Sequence, residues 1–218
     1  MTPPATNSSP VPTVFVVDDD PAVRKSLSRL LRSAGLEVAT FGSALAFLEC
    51  HDPRAPGCLV LDMAMPGLNG LELQATLAAK GSAIPIVFLT GHGDVSTSVR
   101  AMKSGALDYL TKPVNDEDLI EAVRAALNRD AAARQARALL DDILQRLATL
   151  TPREHEVFVH VVSGQLNKQI AGDLGAAEKT IKVHRARVME KMRVQSVADL
   201  VRLAERAGVA PPRRPKVL

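Results

Sequence analysis

At 218 residues the chain is long for one ordinary compact domain and short for three, so two domains are expected. Hydrophobic residues make up 46% and charged residues 23%, which excludes a wholly disordered chain, and aromatic residues reach only 3%, so any core must be aliphatic. Charge divides unevenly: residues 1–148 carry 14 Lys/Arg against 17 Asp/Glu, net −3, and residues 149–218 carry 13 against 7, net +6. A polyanion would attract the second segment and repel the first, and nucleic acid suits that asymmetry better than a membrane.

The opening MTPPATNSSPVPT is rich in Pro, Ser and Thr, with no basic start and no apolar run, so residues 1–12 read as a disordered tail rather than a signal peptide. No apolar stretch approaches membrane-spanning length. The two cysteines, Cys50 and Cys58, lack metal-type spacing, and a reduced, cytoplasmic setting is the economical reading.

From residue 13 onward short apolar runs alternate with helical periods five times, the mark of a parallel sheet covered by helices. The expected strands are Thr13 to Val17, Glu37 to Phe41, Cys58 to Leu61, Ile86 to Leu89 and Leu107 to Leu110. Their unbroken Val/Leu/Ile character suits strands buried on both faces. Gly35, Gly81 and Gly105 each follow a helical stretch and are expected to end it. Beyond Pro113 a helical pattern starts near Asp116 and meets no Gly or Pro before Pro152. A last domain helix is therefore expected to run into a helical linker, residues 129–148. Leu140, Leu144 and Leu147 are spaced like a coiled-coil seam, but Asp130 and Arg137 interrupt it upstream, so a solvated spacer fits equally well.

The next helix opens with Thr151 as N-cap, Pro152 in the first turn and Glu154 closing a capping box. Helices are then expected at about 152–163, 167–174, 178–193 and 197–206, with Gly164 and Gly175 in the turns. Residues 209–218 read as a flexible basic tail.

In open parallel sheets ligands bind beyond the carboxyl ends of the strands. VVDDD puts Asp18 and Asp19 at the end of the first strand, and LVLD puts Asp62 at the end of the third. Carboxylates meeting at one point repel unless a cation lies between them, and a hard divalent ion with oxygen ligands, Mg2+ for preference, answers that need. The fourth strand adds the hydroxyl of Thr90 and the fifth the ammonium of Lys112. Together these are what an acyl phosphate requires: a carboxylate nucleophile, a metal, a donor and a fixed cation. Asp20, before Pro21, reads as a helix N-cap. His92 and Asp94 are too few to fill a metal's coordination shell and read as loop.

VVDDD, LVLDMAMPGLNG, FLTGHGD and YLTKP, in this order and spacing, resemble the receiver domain of two-component response regulators. The resemblance implies a flavodoxin-like (βα)5 α/β fold over residues 13–128, with Asp62 as phosphoacceptor. It also implies Asp19, Asp62 and the backbone carbonyl of Ala64 as direct metal ligands, Asp18 as a ligand through water, and Thr90 and Lys112 on the phosphoryl group. A cis bond before Pro113 is expected, and Tyr109 is expected to be a switch aromatic. Phosphorylation is then expected to change the face of helix four and strand five, with Val95, Val99 and Met102, through which the receiver would form a homodimer. Ala64 stands where a longer polar side chain is frequent, which bears on the lifetime of the phosphorylated state.

The basic segment LTPREHEVFVHVVSGQLNKQIAGDLGAAEKTIKVHRARVMEKMRVQSVADLVRLA is similar to the LuxR-type helix-turn-helix of FixJ/NarL regulators, implying an all-α, four-helix domain over 149–208 joined to the receiver by the long helical linker. NKQIAGDL would be the scaffold helix and AEKTIKVHRARVMEKM the recognition helix. On the latter, Ile181, His184, Val188 and Met192 share an inward face. Lys182 and Val183 are expected at base edges, and Lys179, Thr180, Arg185 and Arg187 at phosphates or nearby bases of duplex DNA. Ala177 stands where a Ser N-cap is usual, and Ala186 where some members carry a contacting lysine. The implied protein is a transcription factor, an activator, fed by a sensor histidine kinase, and not an enzyme beyond accepting and losing its own phosphoryl group. A phosphohydrolase of the haloacid-dehalogenase type would need Thr or Val at residue 22 after Asp18 and Asp20, and Ala22 stands there. An RNA-binding antiterminator is disfavoured by the absence of stacking aromatics.

Overall fold

β-branched and leucine-rich runs too short for helices become strands wherever both faces can be covered. In the computed structural model, which describes residues 11–91 and 108–209, five such runs do so. They are β1 (Thr13–Val17), β2 (Glu37–Phe41), β3 (Gly57–Asp62), β4 (Ile86–Thr90) and β5 (Asp108–Thr111). All pair in parallel in the order β2-β1-β3-β4-β5. The expected fourth receiver helix, with His92, Asp94, Val95, Val99, Met102 and Gly105, lies outside the described residues, as does Leu107. Helices are therefore numbered over the described residues.

Alternation along the strands sorts the side chains between two cores. Val14, Val16, Cys58, Val60, Val87 and Leu89 turn to one face, packed by Leu27 and Leu31 of α1 (Pro21–Ser33) and by Leu119, Val123 and Ala126 of α4 (Asp116–Ala148). Leu59, Leu61, Ile86 and Phe88 turn to the other, packed by Phe47 of α2 (Ala44–Cys50) and by Leu73 and Leu77 of α3 (Gly70–Ala79). β1 lies between β2 and β3, so the strand order reverses beside it, and the crevice at that reversal opens where Asp18 follows β1 and Asp62 ends β3.

The chain divides into two units, Met1–Arg134 and Gln135–Leu218. The first runs past residue 128 because two residues of α4 hold it to the loop before β3. The buried Asp130 carboxylate accepts from the Gly57 amide at 2.9 Å and pairs with Arg134 at 2.7 Å, while the Arg134 guanidinium also donates to the carbonyls of Arg54 and Ala55. Only glycine fits at 57, since a Cβ there would lie 2.1 Å from the Thr13 carbonyl oxygen.

In the second unit α5 (Pro152–Val162), α6 (Asn167–Asp173), α7 (Glu178–Lys191) and α8 (Val197–Arg206) enclose a core of Val157, Phe158, Ile170, Ile181, Val188 and Leu200. The Thr151 capping box forms as read. The candidate seam on α4 divides: Leu147 packs against this core, as does Ile143 outside the seam, whereas Leu140 and Leu144 are 37% and 45% exposed. Val209 is part of the fold rather than the tail, because its amide bonds to Ala204 O at 2.9 Å and its side chain packs on the core. Among the described residues no helix is long and apolar enough to cross a membrane. Cys50 and Cys58 are free thiols, and burial pushes the Cys58 thiol up to about 12.

Candidate functional site

Three carboxylates converge at the crevice. Asp18, Asp19 and Asp62 each offer an oxygen within 4.8 Å of the others. Asp62 ends β3 and Asp18 follows β1, and both are buried, at 6% and 1% exposure. Asp18 is fixed from several sides. Its Oδ1 accepts from the Asp20 amide at 2.9 Å, its amide donates to Phe41 O at 3.2 Å, and its carbonyl accepts from Arg24 at 2.6 Å. Asp20 caps α1, accepting from the Ala22 amide at 2.7 Å. Residue 70 must be small here, because a Cβ on Gly70 would stand 2.7 Å from the Asp62 carbonyl oxygen.

Lys112 reaches into the cluster from the end of β5, its Nζ 2.7 Å from Asp18 Oδ2 and 3.2 Å from Asp62 Oδ1. The Lys112–Pro113 bond is cis, as expected, and the Lys112 amide donates to Thr90 O at 2.6 Å. Burial pushes the Asp62 carboxyl above its ordinary value, with Asp18 adding to the push and Lys112 opposing it. For Lys112 burial works against the ammonium, but the bonds and charges of Asp18 and then Asp62 outweigh it and hold its pKa above the ordinary value. Thr90 is buried at the end of β4, Tyr109 is half-buried on the core beside α2 and α3, and Ala64 is exposed, its amide 3.5 Å from Asp62 Oδ1. An all-oxygen donor set of this charge suits a hard divalent cation.

In the second unit Ile181 and Val188, on the inward face of α7, and Met192, just after it, are fully buried, and His184 is half-buried with its Nδ1 enclosed. Lys179, Thr180, Lys182, Val183 and Arg187 stand on the exposed face, Val183 at 46% exposure. Lys182 lies 3.2 Å from Glu178. Arg185 is half-buried and donates to Asn167 Oδ1 at 2.9 Å, tying α7 to the start of α6. The base of α7 is held by Lys191, which donates to Thr149 O at 2.9 Å and to the buried Glu154 at 2.6 Å.

Four supports escaped the sequence reading: Arg24, the Asp130–Arg134 pair, Asn167 and the Glu154–Lys191 pair. The sequence marks Glu154 as part of a capping box, but Lys191 is 37 residues away and no local spacing couples them. For Arg24 a signal existed: an arginine one turn after a capping Asp can reach back over the strand end.

A doubly wound receiver fold with an acid pocket, followed by a helix-turn-helix presenting a basic face, defines a DNA-binding regulator governed by a receiver. The chain matches the response regulator receiver domain over residues 14–124 and the luxR family of bacterial regulatory proteins over residues 148–204. It is 48% identical over 205 residues to nodulation protein W of Bradyrhizobium diazoefficiens, covering 94% of this chain and 90% of that protein. With the transcriptional regulatory protein FixJ of Azorhizobium caulinodans it shares 48% identity over 91% of this chain and 94% of the other. Among solved structures, response regulator StyR aligns with a TM-score of 0.83 at 52% identity, covering 89% of this chain and 98% of that one. Full-length FixJ from B. japonicum aligns at 0.57 and 43% identity, covering 93% and 100%. The chain belongs to the FixJ/NarL-type response regulators: it is a phosphorylation-dependent transcriptional regulator of a two-component system. A receiver of this family implies a histidine kinase partner, and a luxR-type domain implies binding to DNA.

Proposed function

We propose that Asp62 is the phosphoacceptor and that its phosphorylation controls DNA reading by α7. The convergence of Asp18, Asp19 and Asp62, with the Lys112 ammonium lodged against two of them, carries this reading. An Asp62 carboxylate oxygen attacks the phosphorus of a kinase phosphohistidine. The P–N bond breaks and the imidazole leaves, taking up a proton. Mg2+ bound by Asp19, Asp62 and the Ala64 carbonyl, and through water by Asp18, would neutralise charge on the phosphoryl oxygens. Lys112 pairs with one of those oxygens and Thr90 donates to another. Tyr109 follows Thr90 inward, changing the surface around β5, through which two copies associate.

Residues 13–128 act as the receiver and 149–208 as the DNA-binding domain, with 129–148 as the linker between them. Lys182 and Val183 meet base edges, and Lys179, Thr180, Arg185 and Arg187 meet phosphates or nearby bases. The carboxylate accepts and later loses its own phosphoryl group, and this is the whole of its catalysis. Acetyl phosphate with Mg2+ should label the native chain stoichiometrically on Asp62 and leave Asp62→Asn unlabelled. A label on another residue, or turnover of phosphomonoesters, would contradict the assignment.

A further inference from the structure

Along α1 runs a groove of about 560 Å3 whose walls include Arg24, Lys25, Ser28, Arg29, Arg32 and, from β2, Thr40. Four cations thus sit on one helix, PAVRKSLSRLLRS, that carries no acidic residue. Elsewhere in the fold arginines find carboxylates a turn away on their own helices, as Arg134 does with Asp130, Arg153 with Glu156 and Arg202 with Asp199. Among the described residues no such ion pair forms at Arg24, Lys25, Arg29 or Arg32. Lys25 with Arg29 and Arg29 with Arg32 instead place like charges at helical i,i+4 and i,i+3 spacing, an arrangement that costs stability. This positive stripe lies on a segment whose net charge is −3 over residues 1–148, with 14 Lys/Arg against 17 Asp/Glu.

Two of the guanidiniums are already oriented. Arg24 donates to Asp18 O at 2.6 Å and Arg32 to Val38 O at 3.1 Å, which fixes each planar fork at the wall of the groove that both residues line. The charged groups of the walls are all donors, and the hydroxyls of Ser28 and Thr40 can add to them. Such walls match a ligand made of acceptors, and guanidinium forks match phosphate oxygens two at a time. The volume falls in the range of small-molecule sites. From Lys25 to Arg32 the helix rises about 10 Å, so the cations are strung out rather than gathered on one point, which favours several linked phosphates over one.

We infer that the α1 groove binds a small ligand bearing two or more adjacent phosphate groups, at a place separate from the phosphorylation pocket. Arg29 and Arg32 hold the ligand's phosphates, and Arg24 ties the floor of the groove to the strand end that carries Asp18. Binding there is independent of the reading proposed for Asp62.

The test uses the full chain, without divalent ions and at constant ionic strength, with tripolyphosphate as the probe and backbone amide NMR shifts as the readout. The site-resolved readout separates this groove from the basic C-terminal helices. Saturable shifts at residues 24–32 and 40 are expected, with a Kd below about 1 mM. A double variant, Arg29→Gln with Arg32→Gln, keeps Arg24 in place and should bind at least tenfold more weakly, its undisturbed fold verified by the unchanged spectrum of the β-sheet. Shifts confined to residues 149–209, equal affinity in the variant, or equal affinity for a single-phosphate ligand such as inorganic phosphate would each overturn the inference. So would displacement to no effect, in which poly-glutamate or duplex DNA saturates the groove and tripolyphosphate does not.

Discussion

Lys112 stands closer to Asp18, at 2.7 Å, than to the Asp62 oxygen it also faces at 3.2 Å. The ammonium proposed to meet the phosphoryl group therefore already neutralises the carboxylate beside the proposed phosphoacceptor. It counters the rise in the Asp62 pKa that burial and the charge of Asp18 produce. Replacing Lys112 by Ala should lower the rate of labelling by acetyl phosphate at least about tenfold, since about 1.4 kcal/mol of transition-state stabilisation corresponds to that factor. An unchanged labelling rate would remove Lys112 from the chemistry.

Glu154 gives the second unit a defined response to acid. The hydrogen bond from Lys191, followed by that from the Thr151 amide, lowers its carboxyl from the ordinary 4.5 to about 2, against the opposing effect of burial. The folded state thus binds this proton more weakly than the unfolded state. Its contribution to stability is complete above 4.5 and is lost as the pH falls from there toward about 2. In denaturant titrations followed at residues of α5 to α8, Glu154→Gln should lower stability at neutral pH and flatten its decline over that acid range. A variant whose stability falls as steeply as that of the native chain would show that another group is responsible.

α7 begins without a side-chain cap. Ala177 holds the extended N-cap geometry, φ −71° and ψ 143°, yet offers no oxygen to the first-turn amides. Ala177→Ser supplies one and should stabilise the unit by about 1 kcal/mol. Thermal unfolding of the two proteins would reveal it as a higher Tm, and an equal or lower Tm would mean that the end of α7 is satisfied in another way.

On the proposed reading of the exposed face of α7 the charges divide by task. Lys179→Ala should weaken binding to every DNA sequence and reduce the slope of log affinity against log salt by about 0.9. Lys182→Ala should relax the preference at one base position, an effect of about 1–3 kcal/mol in discrimination. Sequence selection combined with salt titration separates the two, and identical profiles would refute the division.

How far the sequence could be read follows from the range of each interaction. β1 and β2 appear with the expected limits, and the helix starts at Asp20 and Thr151 form as read, because apolar runs and capping residues act over a few neighbours. The pocket was equally legible, since each of Asp18, Asp62, Thr90 and Lys112 stands at or just beyond a strand's carboxyl end and parallel pairing brings those ends together. Asp130 interrupts a coiled-coil spacing in the sequence, yet its carboxylate serves the Gly57 amide, a partner 73 residues away that no periodicity reveals. Ile143, rather than Leu140 or Leu144, enters the core for a similar reason: which side of a helix is inward depends on what packs against it.

The most direct test of control by Asp62 is the affinity of the full chain for its selected DNA site before and after acetyl phosphate treatment, with Asp62→Asn alongside. Phosphorylation should raise the affinity of the native protein at least about tenfold, a coupling of about 1.4 kcal/mol, and leave the variant unchanged. Equal affinity in both states of the native protein, or an increase that survives in Asp62→Asn, would contradict it.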